Sequence, residues 1–257
     1  MVGHVRLVSL TSDFGEGHYV GEMRGVIKKV NIDAEIVDVT HSIERYNVFG
    51  GAFVLSRIWR HFPKNTVHVV VVDPGVGSKR KAIAIETDYC FLLGPDNGVL
   101  RWALKDQEIV RVIDLDPLTV QERAGLTNVS ATFHGRDVFA PAAGLLTRGV
   151  DIDTLGTRIK ELQPLDLKED TVIHVDSFGN IITTIAKDLS PGMKLQVIHG
   201  PRKFDAVGAV KFSDVNPGEL VVLKGSHGLL EVDVNHGNAA ERLGVRAGDS
   251  IQVEYVG

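Results

Sequence analysis

Asp73, Arg80 and His134 are residue types that can do chemistry: a carboxylate, a fixed cation and a group that titrates near neutral pH. Asp73 leaves the β-branched run at residues 69–72, and Pro74 and Gly75 then force a turn. Gly77 keeps the backbone open to an approaching ligand. Arg80, seven residues downstream, brings a permanent guanidinium charge back toward Asp73. A phosphate loop would need Gly-Lys-Ser or Gly-Lys-Thr, or a third glycine opening a helix, and neither follows. His134 stands in SATFHGRDVFAPAAG at residues 130–144, beside Arg136 and Asp137 and between Phe133 and Phe139. Histidine shuttles protons near neutral pH, which makes His134 the candidate acid or base. The structural alternatives are a surface pair of Asp73 with Arg80, a pair of Arg136 with Asp137, and His134 capping a strand.

Other strings suit the holding of a nucleoside and an amino acid. Asp13, in TSDFG at residues 11–15, follows an apolar run and precedes a helical pattern. A carboxylate there accepts both hydroxyls of a ribose, or caps the next helix. In DSFGN at residues 176–180, Phe178 can stack on a base while Asn180 offers a donor and an acceptor to its edge. In GSHGLLEVDVNHGNAAERL at residues 225–243, Ser226, His227 and Glu231 offer contacts to a zwitterion. The residues of these last two strings are equally at home in β-turns. The 10 histidines show no His-x-x-x-His spacing and Cys90 is the only cysteine, so a metal site is not expected.

The elements that hold these residues are legible as alternating patterns. Residues 5–10, 35–39 and 67–72 read as strands, and residues 17–30 and 48–62 carry apolar positions near helical spacing. The βαβαβ order predicts an α/β domain over residues 1–150 with a mainly parallel sheet. Residues 151–167, charged and broken by Gly156 and Pro164, read as a linker. Residues 168–257 hold short β-rich pieces at 171–175, 181–185, 194–199, 219–223, 229–234 and 250–255, which predicts a smaller all-β domain, antiparallel and barrel-like. A net charge of -5 argues against a nucleic-acid surface. No apolar run approaches the roughly 20 residues that span a bilayer. The residue-1 end lacks a secretory pattern and the single cysteine fits a reducing compartment, so the cytoplasm is the expected location.

Together, TSDFG, YVGEM at residue 19, IVDVTHS at 36, VDPGVGSKRKAI at 72, PDNG at 95, TFHGRDVFAPAA at 132, DSFGN, GSHGLLEV and NAAERLGVRAGD at 238 resemble the S-adenosyl-L-methionine hydrolase family, relatives of the fluorinase and chlorinase enzymes. The resemblance runs through almost the whole chain in order. It implies hydrolysis of S-adenosyl-L-methionine to adenosine and methionine with no cofactor or metal. An Asp, Arg and His set beside the attacking water would be Asp73, Arg80 and His134. Asp13 would hold the ribose, Phe178 and Asn180 the adenine, and Ser226, Glu231 and Asp176 the methionine part. The backbone from Val234 would complete the adenine pocket. The resemblance also implies a homotrimer whose sites draw on neighbouring subunits. The halogenating relatives lack the water-handling set, and the region after PDNG is too short for the fluorinase's extra loop. The rival readings are such a halogenase, a nucleoside-binding module without catalysis, and a metal-dependent phosphohydrolase using Asp13, Asp73, His134 and Asp137 as ligands.

Overall fold

The structure is a computed structural model that describes residues 6–127, 129–166 and 168–256. The expected start of the first strand at residue 5 therefore lies outside the described residues. The chain divides into two compact units, the first ending at Leu165 and the second beginning at Asp166.

The first unit begins with the expected alternation. Strand β1 (Leu7–Ser12), helix α1 (His18–Val30), β2 (Glu35–Thr40), α2 (Val48–Ile58) and β3 (Val67–Val71) follow in order. β1 pairs in parallel with both β2 and β3. All five residues of β3 are buried because both faces of the sheet are covered. Val67, Val69 and Val71 pack into one core with Met23 and Ile27 of α1, while Val70 and Val72 pack into another with Leu55 of α2. Full burial of each such side chain contributes roughly 1.5–3 kcal/mol.

The second half corrects the expectation of a mainly parallel sheet. β4 (Ala82–Thr87) and β5 (Phe91–Pro95) form an antiparallel hairpin, and β4 also runs antiparallel to β6 (Ile109–Leu115). The physical reason is loop length: residues 88–90 are far too few for a parallel crossover, which needs a dozen or more. β5 lies parallel to β3, and β7 (Gly156–Arg158) closes the edge against β6. The result is a mixed seven-stranded sheet in the order β2-β1-β3-β5-β4-β6-β7. Thus residues 156–158, read from sequence as part of a linker, are paired in the first sheet. Helices α3 (Pro117–Arg123) and α4 (Ala140–Thr147) complete the unit, and every residue of α4 is buried. Gly144 makes this possible, since a Cβ there would stand 2.7 Å from Val30 Cβ of α1.

The second unit is a seven-stranded sheet of β8 (Val172–Val175), β9 (Ile181–Thr183), β10 (Lys194–His199), β11 (Arg202–Ala209), β12 (Leu220–Lys224), β13 (Leu230–Val234) and β14 (Gln252–Tyr255), in the order β14-β10-β11-β12-β13-β9-β8. The sheet curls: a Thr171–Ser250 bridge and the bond from Val172 N to Asp249 O (2.9 Å) bring its two edges together. Two features depart from an all-β antiparallel expectation. β11 and β12 are parallel, and the five-residue helix α5 (Ala239–Leu243) follows β13, capped by Asn238 and ended by Gly244 in the left-handed conformation. Among the described residues, no helix is long and apolar enough to cross a membrane.

Candidate functional site

Asp73 and Arg80 sit on the loop between β3 and β4. Arg80 Nε donates to Asp73 Oδ1 at 3.0 Å and its Nη2 donates to Oδ2, a fork-to-fork pair whose side chains are only 9% and 6% exposed. Asn97, from the PDNG string, donates to the Val72 carbonyl at 2.9 Å and fixes the strand end just before Asp73. The loop is seated against the chain segment bearing His134. At Gly77 φ is +76°, and a Cβ would come 2.5 Å from the Ala131 carbonyl oxygen.

His134 is the residue before a π-helical turn, Gly135–Phe139, that runs into α4. Its Nδ1 lies 3.0 Å from Arg80 Nη2. A guanidinium has no acceptor, so Nδ1 accepts and the neutral ring carries its proton on Nε2. Burial, and then the Arg80 charge, hold the His134 pKa below its ordinary value, which keeps the ring neutral at neutral pH. Among the described residues the buried Arg80 Nη1 has no hydrogen-bond partner, and the guanidinium carbon lies 5.7 Å from the Phe139 ring centroid. Asp137 is taken up structurally: Arg136 grips both of its oxygens and Ser130 N donates to Oδ2 at 2.8 Å. Among the described residues, no group of three or more His, Cys, Asp or Glu side chains is placed to hold a metal ion.

Asp13, Asp73 and His134 line one cleft of about 360 Å³. The Tyr46 amide donates to Asp13 Oδ2 at 2.8 Å, and Tyr46 holds a left-handed φ of +67° to do so. That conformation costs a non-glycine residue about 1–2 kcal/mol. Burial raises the Asp13 pKa, opposed by the Tyr46 hydrogen bond. Phe14, Tyr19 and Phe133 form an aromatic wall with ring centroids 5.4–5.7 Å apart. The wall and the Tyr46 amide were not singled out from sequence as cleft-forming. The Phe and Tyr positions beside TSDFG and HGRD were visible there, whereas a backbone donor leaves no side-chain signal.

The second unit gathers its own polar set. Asp176 accepts from the amides of Phe178 and Asn180 (both 2.9 Å) and from Asn180 Nδ2 (3.0 Å), which builds the β8–β9 turn and leaves Phe178 75% exposed. Gly179 at φ +84° brings this turn against Asn238 at the start of α5. Glu231 pairs in register with Ile182, which places it on the same sheet face as Asn180. His227 Nδ1 accepts from Leu229 N (3.1 Å), so its Nε2–H donates to Glu231 Oε1 (2.6 Å) and positions that carboxylate. Ser226 lies in the same β12–β13 turn. The Val234 side chain is packed in the core of this unit, which leaves only its backbone to meet a ligand.

Family comparison matches residues 8–156 to the SAM hydroxide adenosyltransferase N-terminal domain and residues 170–252 to the corresponding C-terminal domain. A Methanocaldococcus jannaschii protein named (R)-S-adenosyl-L-methionine hydrolase is 37% identical over 97% of this chain and 96% of its own. A fluorinase from Nocardia brasiliensis is 23% identical over 98% of both chains. A solved structure of a conserved protein from Thermotoga maritima aligns with a TM-score of 0.86 at 36% identity, covering 96% of this chain and all of that one. With both domain models matched in order and a third of all positions shared with full-length relatives, the chain belongs to the SAM hydroxide adenosyltransferase family.

Proposed function

We propose that the chain hydrolyses S-adenosyl-L-methionine to adenosine and L-methionine, through attack of a water molecule at the ribose 5′ carbon. The observation that carries this reading is that Arg80 joins Asp73 to His134, which line the same cleft as Asp13. The relatives named as hydrolases supply the substrate. A sulfonium leaves as a neutral thioether, so the reaction needs no acid on the leaving group. What it does need is a water in line with the sulfur and an acceptor for its proton.

The tautomer supports one division of these tasks. His134 Nδ1 is occupied by Arg80, so its Nε2–H holds the water oxygen, and Asp73, with lone pairs beyond those Arg80 uses, takes the proton. Arg80 fixes both partners. Asp13 holds the ribose diol, Phe178 and Asn180 the adenine with the backbone at Val234, and Ser226, Glu231 and Asp176 the methionine part. No cofactor enters this scheme. A homotrimer in the cytoplasm is part of the same reading, and equilibrium sedimentation should give the mass of three chains; a monomer that is active would remove that part.

The test is incubation with each sulfonium epimer in isotopically labelled water. Adenosine and methionine should form in equal amounts, from the (R) epimer first, with solvent oxygen at the 5′ position. A 5′-halogenated adenosine as the main product in chloride or fluoride would place the chain with the halogenases instead.

A further inference from the structure

Asp13 stands on the short loop that joins β1 to α1, and residues 41–46 hold that loop from outside. Gly15 N donates to the His41 carbonyl at 2.7 Å, Ile43 N to the Ser12 carbonyl at 3.4 Å, and Tyr46 N to the Asp13 carboxylate at 2.8 Å. One side chain joins these backbone ties: His41 Nδ1 lies 2.8 Å from Ser12 Oγ, on the residue directly before Asp13.

The direction of that bond follows from what surrounds the ring. Among the described residues His41 Nε2, which is buried, makes no hydrogen bond; it lies 3.2 Å from Asp38 Oδ1, out of line for one. A lone pair facing a carboxylate is repelled and an N–H is attracted, so the proton sits on Nε2. Nδ1 then accepts the Ser12 hydroxyl proton, while Ser12 Oγ accepts from Phe14 N at 3.4 Å. Asp38 is in turn paired with Arg24 of α1, which anchors the ring's far edge to a helix. Burial, followed by the Arg24 charge, holds the His41 pKa below its ordinary value and keeps the ring in this neutral form.

We infer that His41 is a positioning residue: through the Ser12 hydroxyl it fixes the loop so that the Asp13 carboxylate meets the ribose diol in one orientation. The inference rests on the nucleoside reading of the cleft given above. It concerns a residue that touches neither the substrate nor the water.

The experiment compares wild type with His41→Ala and His41→Asn, in the full chain, by steady-state kinetics and by calorimetric binding of adenosine. Asparagine places its Oδ1 where Nδ1 stood, so it can still accept from Ser12 but does not reach Asp38. His41→Ala should raise KM and the adenosine Kd roughly 3- to 10-fold, the loss of one partly buried hydrogen bond, with kcat changed by less than about twofold. His41→Asn should recover most of the affinity. In an Asp13→Ala background, His41→Ala should add nothing, because the group it positions is gone. Unchanged affinity in His41→Ala, no recovery in His41→Asn, or an equal additional loss in the Asp13→Ala background would each overturn the inference. A wild type that binds adenosine but does not cleave the sulfonium would remove the hydrolase reading and leave the adenosine Kd to decide on His41. A wild type that binds no nucleoside removes both.

Discussion

Asp73 and His134 share one partner, and that sharing limits what each can do. Arg80 is held by two buried contacts to Asp73 and one to His134, so its removal would strand a buried carboxylate at a cost of roughly 3–5 kcal/mol. An Arg80 variant therefore reports on folding as much as on chemistry. Asp73→Asn keeps the shape and removes the proton acceptor, and His134→Ala removes the donor that holds the water. Asp73→Asn should lower kcat by roughly 100- to 10,000-fold, as for a lost proton-transfer group, and His134→Ala should lower kcat as well, both with KM little changed. Asp13→Ala should act in the opposite sense, on KM, because a ribose contact is made in ground and transition states alike. Turnover and adenosine affinity, measured on variants shown to be folded, separate the two classes. Near-normal kcat in both Asp73→Asn and His134→Ala would sink the water-activation scheme.

At the level of elements, the site is two loops pressed together, and Gly77 is where they meet. A methyl group there would stand 2.5 Å from a backbone oxygen, in a φ of +76° that side chains resist. Gly77→Ala should therefore push the Asp73–Arg80 loop away from the His134 segment and break the Arg80–His134 bond. The expected outcome is a fall in kcat with adenosine affinity retained, since Asp13 lies on a different loop; wild-type kcat in a folded Gly77→Ala protein would refute it. The alternation β1-α1-β2-α2-β3 and the residues at its strand ends were legible because periodicity and turn residues are local signals. The antiparallel half of the first sheet was not read correctly, because the direction in which a strand pairs is decided by the length of its connections and by partners far along the chain. β11 was missed for a related reason: RKFDAVGA opens with charged residues, and only its register with β10 across the turn at Gly200 makes it a strand. Of the cleft, the charged groups could be read, while the Tyr46 amide and the His41–Ser12 tie depend on how residues 41–46 fold back over the loop.

For the molecule as a whole, stability is set by what its units bury, and the second unit carries a cost that depends on pH. Asp233 is fully buried on β13, and among the described residues neither of its oxygens has a hydrogen-bond partner. Continuing the β9–β13 register places it opposite Asn180, on the face that also holds Glu231. Burial, then the nearby carboxylates of Glu231 and Asp176, push its pKa from 3.8 up to about 8. Between these values the folded chain keeps the proton and the unfolded chain has released it, so the folded state binds more protons and stability falls as pH rises. The protonation advantage is fully present below about pH 4, is lost progressively up to about pH 8, and stays lost above that. Asp233→Asn replaces the acid by a neutral group of the same shape and removes this dependence. Its melting temperature should exceed that of wild type by about 4 °C or more at pH 8, the equivalent of ~1 kcal/mol, and the gap should close as the pH approaches 4. Thermal denaturation of both proteins across that range measures it directly. A gap independent of pH would mean that the Asp233 carboxyl is not the titrating group, and a destabilised Asp233→Asn at pH 8 would mean that the carboxylate is needed in its charged form.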